Sequence, residues 1–312
     1  MRTYSKIPLV YILACDRSGS TLLDILLGSH SELWTVGEAE FLPWELKRDL
    51  YPCGCGERLQ RCPFWQPILE DLPADILETL GYFREIHGWW GIFREELTDL
   101  LRGKVSERRH PLAQRYGEAN AQFFRCVFDR VQTTWKPEIR YLVDASKQPY
   151  RLFWLAQRDD FDMWVSHLVK DPRAFVYSLL RRLPHRPLSK VVRFAMRWLI
   201  QNKLSERVLQ AHVPQDRRFF LRYEDLASRP GEVLSELGKW LGVQFPQDLP
   251  FRFRQIENHG VAGNPTRWKD TPIVLDEKWK THLPKARQWL VWGLTSRLAR
   301  RYGYTRTEGK KE

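Results

Sequence analysis

A polar loop after the first apolar segment carries the residue types of an anion-binding site. The loop reads Cys15-Asp16-Arg17-Ser18-Gly19-Ser20-Thr21 and precedes a segment of helical periodicity. Backbone N–H groups at a helix start point toward a bound anion, and the helix dipole favours negative charge there. Gly19 lets the backbone approach a phosphate closely, and Arg17 adds a cation that can bind it in bidentate fashion. Hydroxyl donors come from Ser18, Ser20 and Thr21.

The loop departs from the P-loop of ATP- and GTP-dependent enzymes, which reads G-x-x-x-x-G-K-[ST]. Ala14 occupies the position of the first glycine, and Ser20 stands where the lysine would be. The cation, Arg17, precedes the second glycine instead. The pattern therefore disfavours a kinase of the usual kind, although a strand–turn–helix corner without a ligand is also compatible with these seven residues.

Further segments, taken in order along the chain, resemble the sulfotransferases that use 3′-phosphoadenosine 5′-phosphosulfate (PAPS) as donor. Residues 17–23 (RSGSTLL) resemble the loop for the donor's 5′-phosphosulfate, and residues 168–178 resemble the element for its 3′-phosphate. Residues 222–226 (RYEDL) resemble the strand end near the adenine. Residues 263–265 (GNP), followed by Arg267, resemble the late loop that closes over the donor. Residues 144–149 (DASKQP) are similar to a lysine-bearing segment of the tyrosylprotein branch, and the bacterial branch is equally near.

The resemblance assigns the donor's 3′-phosphate to Lys170, Ser178 and Arg182. Ser178 and Arg182 are four residues apart, so a helix would present both on one face. The family usually has arginine where this chain has Lys170, whose ammonium lacks the bidentate fork, and Arg173 could assist it. A basic helix end without a ligand is the alternative. The same resemblance adds Tyr223, Gly263, Asn264 and Arg267 to the donor site.

Sulfuryl transfer needs a base for the acceptor proton and cations for the charge on the leaving phosphate. A sulfuryl group carries one negative charge fewer than a phosphoryl group, so cationic side chains can suffice without a metal. Arg17 and Lys147 are the candidate cations. The resemblance places a catalytic glutamate near residues 37–40 and leaves Glu38 and Glu40 both open. His30 is a further alternative for the base.

Three cysteines lie close together in the sequence, at Cys53, Cys55 and Cys62. Three thiols within ten residues could bind zinc, but no fourth ligand stands nearby and the first pair has only one residue between its members. We therefore predict a compact structural turn, with or without a disulfide, and no metal site.

The elements that position these residues follow an alternating pattern. Apolar strand candidates cover residues 7–14, 141–145, 163–169 and 218–222, and helical patterns follow them. Such alternation predicts an α/β fold of the P-loop type with a central parallel sheet. About a hundred residues between the first two strands do not fit the rhythm. We predict one domain over residues 1–312, with a helical insertion at roughly 45–138 above the sheet's carboxyl edge.

The insertion is rich in aromatic residues, which are more often core than ligand contacts. They are nevertheless the best candidates for the acceptor side: Tyr82, Phe83, Trp89, Trp90 and Phe93. Acceptor identity is left open among small-molecule, carbohydrate and peptide hydroxyls.

Charge and apolar content limit the partners. The net charge of +12 points to an anionic partner, and its even spread suits a small polyanion at least as well as a nucleic acid. The early apolar run at 7–14 is too short to span a membrane and lacks a signal-peptide layout. Five cysteines without a disulfide-rich density agree with a reducing, cytoplasmic location.

The sequence thus predicts a sulfotransferase that uses PAPS, releases adenosine 3′,5′-bisphosphate and requires no metal, nucleic-acid partner or transmembrane segment. The alternatives are a nucleotide-dependent kinase on a similar sheet and a basic nucleic-acid-binding protein.

Overall fold

The computed structural model describes residues 5–85 and 95–306 of the 312-residue chain. Its centre is a five-stranded parallel sheet with the strand order β2-β3-β1-β4-β5. The strands are β1 (Ile7–Ala14), β2 (Leu33–Gly37), β3 (Tyr141–Lys147), β4 (Phe161–Val169) and β5 (Arg218–Arg222). From β1 the chain runs out to β2 at the edge, returns through β3, and then crosses β1 to reach β4 and β5, so the strand order reverses beside β1. The predicted α/β fold with a central parallel sheet is confirmed.

Helices connect and cover these strands. In chain order they are α1 (Ser20–Gly28), α2 (Leu42–Arg48), α3 (Trp65–Asp71), α4 (Ala74–Leu80), α5 (Tyr82–Glu85), α6 (Glu95–Arg102), α7 (His110–Arg130), α8 (Pro149–Leu155), α9 (Pro172–Leu180), α10 (Leu188–His212), α11 (Tyr223–Ser228), α12 (Pro230–Leu241), α13 (Leu249–Arg252), α14 (Trp279–His282) and α15 (Lys285–Arg301). Proline opens several of them, where its missing N–H costs nothing. In residues 5–85 and 95–306, no helix has both the length and the apolar character to cross a membrane.

The strand predictions hold, with one omission. β1 and β5 have the predicted bounds, while β3 extends two residues further at its carboxyl end and β4 begins two residues earlier. The sequence analysis missed β2, a five-residue edge strand that follows α1 after a short turn. It pairs with β3 in the register Leu33↔Tyr141. The chain therefore returns to the sheet as β2 before the helical insertion begins.

Both faces of the sheet are covered, which explains the continuous apolar character of β1. Alternate residues of β1 face opposite sides: Leu9 and Tyr11 join one buried cluster, and Val10 and Ile12 join the other. The second cluster contains α1 and α12. A third cluster holds α9, α10 and α15 together near the carboxyl end of β4.

The insertion supplies much of the first cluster. Phe64, Trp65, Phe123 and Phe124 are fully buried beside the sheet residues of that face. The predicted position above the carboxyl edge is therefore incomplete, because much of the insertion forms a layer on the face of the sheet.

Candidate active site

The carboxyl ends of the five strands lie along one edge of the sheet, and each leads into residues that the sequence assigns to the site. Across the sheet these are Glu38 after β2, Lys147 at the end of β3, residues 15–19 after β1, Lys170 after β4 and Tyr223 after β5. Open α/β sheets bind ligands at this edge, beside the strand where the order reverses. Segments far apart in the sequence therefore form one row.

The loop after β1 turns sharply through two residues in the left-handed backbone region, Arg17 with φ 68° and Gly19 with φ 92°. Gly19 is needed for a second reason, since a Cβ there would lie 2.4 Å from Cδ2 of the Tyr223 ring. The tyrosine therefore packs directly on the loop, and this close approach depends on the absence of a side chain at residue 19.

Two buried polar atoms of this loop have no protein partner. Within the described part of the chain, neither Arg17 Nε nor Ser18 Oγ makes a hydrogen bond. Buried polar atoms in proteins are nearly always satisfied, because leaving one unpaired costs about 1–3 kcal/mol. Both atoms are therefore free to bind a ligand oxygen.

Cations surround this position. Burial lowers the pKa of Arg17, and the charges of Arg182 and Arg181 lower it further. Burial also lowers the pKa of Lys170, with Arg17 and Arg181 adding to the effect. Since these positive charges repel one another, a bound anion would stabilise all of them.

Lys170 is fixed at the end of β4. Its Nζ lies 4.0 Å from the centroid of the Tyr223 ring, a cation–π arrangement, and the residue is only 6% exposed. Trp198 Nε1 donates a hydrogen bond of 2.9 Å to the Lys170 carbonyl. The ammonium is thus held beside the β1 loop.

The other residues predicted for the 3′-phosphate lie on α9 or just beyond it. Ser178 is buried, and its hydroxyl donates to the Phe175 carbonyl at 2.7 Å. Arg182 is exposed, one turn after Ser178 and close enough to Arg17 to affect its pKa. Both side chains remain candidates for the same anion.

Arg173 does not assist Lys170. Its guanidinium binds the Asp171 carboxylate at 2.6 Å and donates to the backbone carbonyls of Thr305 and Arg306 at 2.9 and 2.7 Å. The expectation of such assistance is wrong, because the fork of Arg173 is used in anchoring the end of the described chain.

Glu38 and Lys147 form a buried ion pair at the β2–β3 end of the row. Glu38 Oε1 lies 2.5 Å from Lys147 Nζ, and the two side chains are 10% and 8% exposed. Burial alone would lower the pKa of Lys147, but the charges of Glu38 and Asp16 outweigh burial and raise it. Lys147 is therefore a stable cation, and its charge also interacts with that of Asp16 in the β1 loop.

Glu40 lies in a different environment. It is 2% exposed, and its Oε2 has no partner among the described residues. Burial raises the pKa of Glu40 to about 8, although the charge of Arg151 opposes the shift. Glu40 is consequently mostly protonated at neutral pH, whereas Glu38 is paired with Lys147 of the row, and this difference favours Glu38 as the proton acceptor.

The late loop meets the start of α1. The Asn264 N–H donates to Thr21 Oγ1 at 3.1 Å, and a Cβ on Gly263, whose φ is 95°, would lie 3.4 Å from the same oxygen. Gly263 and Asn264 therefore border the loop after β1.

Arg267 is turned inward. Its Nη2 lies 3.1 Å from Asp24 Oδ2, and its Nη1 donates to the Gly260 carbonyl at 2.7 Å and to the Ala262 carbonyl. Asp24 also accepts a hydrogen bond from the Thr35 hydroxyl of β2. Arg267 thus ties the late loop to α1 through its two terminal nitrogens, while its Nε is buried without a hydrogen-bond partner among the described residues.

The sequence analysis missed a backbone contact that holds Glu38 in position. Val261 pairs with Gly37 in a parallel bridge, and the Glu38 N–H donates to the Val261 carbonyl at 2.9 Å. A Cβ on Gly37 would lie 2.3 Å from that carbonyl oxygen. Val261, two residues before Gly263, therefore fixes the backbone position of Glu38.

His30 lies at the opposite edge of the sheet, between the end of α1 and the start of β2. Its Nε2 is 3.0 Å from the Gln244 carbonyl, and its Nδ1 accepts the Glu32 N–H at 3.0 Å. Both ring nitrogens thus have structural partners, and His30 is excluded as the base.

The aromatic residues proposed for the acceptor side are only partly described. Phe83 is buried, and the ring of Tyr82 stacks on Trp154 of α8 with centroids 5.2 Å apart. These two are packing residues, contrary to the acceptor hypothesis. Trp89, Trp90 and Phe93 lie outside the described residues.

The three clustered cysteines are free thiols, and a histidine distant in the sequence joins them. Cys62 Sγ lies 3.5 Å from Cys53 Sγ, 3.8 Å from Cys55 Sγ and 3.2 Å from His259 Nδ1. The fourth ligand that the sequence analysis did not find nearby is therefore present in space. A cysteine-cluster pattern combined with a search for distant histidines could have found it.

Two solved structures are similar to the whole chain. The sulfotransferase domain from the curacin biosynthetic pathway is 24% identical over 96% of this chain and 99% of its own, with a TM-score of 0.57. The sulfotransferase domain from the Synechococcus PCC 7002 olefin synthase is 22% identical over 95% and 96%, with a TM-score of 0.52. No protein-family model and no curated protein matches the chain. The likeness confirms the resemblance to sulfotransferases for the fold, while activity must be argued from the site.

Proposed function

We propose that the chain is a sulfotransferase, which transfers a sulfuryl group from PAPS to an acceptor hydroxyl or amine and releases adenosine 3′,5′-bisphosphate. The row of strand ends supports this proposal above all, because it orders cations, an anion loop and a carboxylate along one edge. An adenosine with phosphate groups at both its 3′ and 5′ positions needs two anion sites at fixed separation, and the row offers them at β4 and β1.

Each end of the donor has its own set of contacts in this proposal. The 5′-phosphosulfate lies on the β1 loop, where Arg17 Nε and Ser18 Oγ lack protein partners. Gly19, Ser20 and Thr21 contribute the helix start. The 3′-phosphate lies beside Lys170, Ser178 and Arg182, and the nucleoside lies toward Tyr223. Gly263 and Asn264 close over the β1 loop. Arg267 holds them in position through its hydrogen bond to the Gly260 carbonyl.

Transfer proceeds at the β1–β3 boundary. Glu38 accepts the proton of the acceptor hydroxyl, whose oxygen bonds to sulfur while the bond from sulfur to the bridging phosphate oxygen breaks. The negative charge that develops on this leaving oxygen is stabilised by Arg17 and Lys147. Lys147 also orients Glu38, to which it is paired at 2.5 Å. The chain's own residues thus supply base, cations and in-line positioning without a catalytic metal.

The acceptor enters from the β2 side, beyond Glu38, because the donor fills the row from β1 to β5. A small molecule, a carbohydrate or a peptide are the acceptor classes we propose, with no nucleic-acid partner. The free thiols of the described cysteines suit a reducing compartment such as the cytoplasm.

Calorimetry with three nucleotides tests the donor site. Adenosine 3′,5′-bisphosphate should bind more tightly than adenosine 5′-monophosphate or adenosine 3′-monophosphate. Lys170→Ala should remove the preference over the 5′-monophosphate, and Arg17→Ala the preference over the 3′-monophosphate. Each loss should be roughly 10- to 100-fold in Kd, as for a hydrogen bond to a charged group. Absence of bisphosphate binding to the wild type would overturn the proposal.

The same samples separate the alternatives. Turnover that requires Mg²⁺ and ATP would indicate the kinase. Salt-sensitive binding of DNA or RNA without any binding of the bisphosphate would indicate the nucleic-acid binder. Radiolabelled PAPS, offered with a panel of hydroxyl and amine acceptors, then addresses the substrate.

A further inference from the structure

Four side chains from two distant segments direct metal-binding atoms toward one point. They are Cys53, Cys55 and Cys62 from the start of the insertion and His259 from the segment before the late loop, and their ligand atoms all lie within 4.8 Å of one another. Three of the four residues are buried. This cluster lies apart from the row of strand ends, and the proposed mechanism does not use it.

The distances match a tetrahedron around zinc. Zn–S bonds of about 2.3 Å and Zn–N bonds of about 2.0–2.1 Å give S···S edges of about 3.8 Å and S···N edges of about 3.5 Å. Of the six distances between the four ligand atoms, four are close to these edges: Cys62 Sγ lies 3.5 Å from Cys53 Sγ and 3.8 Å from Cys55 Sγ, and His259 Nδ1 lies 3.2 Å from Cys62 Sγ and 3.7 Å from Cys53 Sγ. The other two are below 4.8 Å. The atoms are spaced as ligands that share an ion.

The backbone holds the two segments in this arrangement. The Cys53 N–H donates to the Glu57 carbonyl at 2.8 Å, and the Gly54 N–H donates to the Gly260 carbonyl at 3.1 Å. A Cβ on Gly54 would lie 2.4 Å from the Asn258 carbonyl oxygen, so the two segments approach too closely for a larger residue. The ligands are therefore placed by backbone contacts as well as by their own side chains.

The surroundings of His259 are those of a metal ligand. Its ring stacks on Trp34, with centroids 5.7 Å apart and an interplanar angle of 14°, and Phe64 and Trp135 pack around it. The Glu257 carboxylate lies 3.2 Å from Nε2, on the side away from the thiols. This contact lacks the geometry of a hydrogen bond, so the ring is held by its aromatic neighbours, with Nδ1 on the side of the thiols.

We propose that Cys53, Cys55, Cys62 and His259 bind one structural zinc ion. Four protein ligands leave no open position for water or substrate, so the ion has a structural role. This inference replaces the sequence-based prediction of a metal-free turn, and it leaves the absence of a catalytic metal as proposed.

The ion would link the insertion to the active site. His259 is two residues from Val261, whose carbonyl accepts the Glu38 N–H, and four from Gly263, which borders the anion loop. Trp65 Nε1 donates to the His259 carbonyl at 2.6 Å, and Trp268 Nε1 donates to the Cys53 carbonyl at 3.1 Å. Removal of zinc should therefore increase the mobility of the late loop.

Metal content of the purified full-length protein tests the site directly. Protein from zinc-supplemented cultures, purified without chelator, should contain about one zinc ion per chain by mass spectrometry of the elements. Replacement by Co²⁺ should give the thiolate-to-cobalt charge-transfer absorption of a tetrahedral site. Wild-type protein that contains no zinc and shows no such absorption with Co²⁺ would overturn the proposal, and iron in place of zinc would also overturn it.

Variants identify the ligands. Cys55→Ser and His259→Ala should each lose most of the zinc, whereas Cys126→Ser, which changes a cysteine outside the cluster, should keep it. Full zinc content in both ligand variants would overturn the assignment. Should either fail to fold, titration of denatured, chelated wild type decides: all five cysteines should react, and two fewer would mean a disulfide instead of a metal site.

Discussion

Glu38 Oε1 lies 2.5 Å from Lys147 Nζ at the junction of β2 and β3. The two residues come from strands that are neighbours in space, although the whole insertion separates them in the sequence. The opposite charge of each side chain offsets part of the cost of burying the other. The pair thereby joins a proton acceptor to a cation that faces the anion loop.

Glu38→Gln should abolish turnover while preserving donor binding. A glutamine keeps the shape of the side chain but cannot accept the acceptor proton, so kcat should fall roughly 10²- to 10⁴-fold. The Kd for adenosine 3′,5′-bisphosphate should stay within about twofold. Glu40→Gln provides the comparison, because a residue that is already protonated at neutral pH loses little there. If Glu40→Gln lost turnover and Glu38→Gln did not, the base would be Glu40.

Gly19→Ala should weaken donor binding through the Tyr223 ring. The added Cβ would lie 2.4 Å from Cδ2 of that ring, so the ring must move away from the loop. Gly103→Ala is the matched control, since φ is +73° there and among the described residues nothing lies within 4 Å of the new Cβ. Both variants should lose about 1–2 kcal/mol of stability from left-handed strain.

Only Gly19→Ala should also raise the Kd for adenosine 3′,5′-bisphosphate. Calorimetry and thermal unfolding of the two variants separate the effects. Equal donor affinities in Gly19→Ala and the wild type would show that Tyr223 does not need to contact the loop.

Arg267 and Asp24 should behave as one structural unit. Their charged groups are 3.1 Å apart and each side chain is 2% exposed. Arg267→Ala and Asp24→Asn should each destabilise the fold, and the double variant should lose less than the sum, with a coupling of roughly 0.5–3 kcal/mol in denaturant unfolding. A positioning role also predicts weaker binding of the bisphosphate with an unchanged preference over the two monophosphates. A selective loss of one preference would mean that Arg267 contacts the donor.

The fold was largely predictable where the signal is local. β1 is a continuous apolar run bounded by polar residues, and both its faces are covered, so its bounds were predicted correctly. β2 was missed because five residues at the sheet edge carry little periodicity. Residues 33–37 form a strand because they pair with β3, where Leu33 lies opposite Tyr141.

Contacts between residues that are far apart in the sequence could not be predicted either. Neither His259 nor Val261 stands in a recognisable motif, yet His259 joins the cysteine cluster and the Val261 carbonyl accepts the Glu38 N–H. Arg267 was assigned to the donor from its segment alone, and nothing in that segment indicates the ion pair of its Nη2 with Asp24. A motif indicates which segments meet at a site, but the direction of each side chain follows from packing that only the fold determines.

The stability of the protein should depend on pH through Glu40. Burial raises the pKa of Glu40 to about 8 from an ordinary value of 4.5, so the folded state retains a proton that the unfolded chain releases. The folded state therefore gains stability from this group below about pH 4.5, and the gain is lost as the pH rises toward 8. Glu40→Gln should lose less stability than the wild type between pH 5 and 8 in urea unfolding, as follows from that linkage.

Asp24 and Glu224, whose pKa values burial raises to about 6, act in both proteins and cancel in the comparison. Glu118→Gln, on the exposed face of α7, should follow the wild-type curve. Parallel curves for Glu40→Gln and the wild type would mean that Glu40 is ionised in the folded protein, which would restore it as a candidate base.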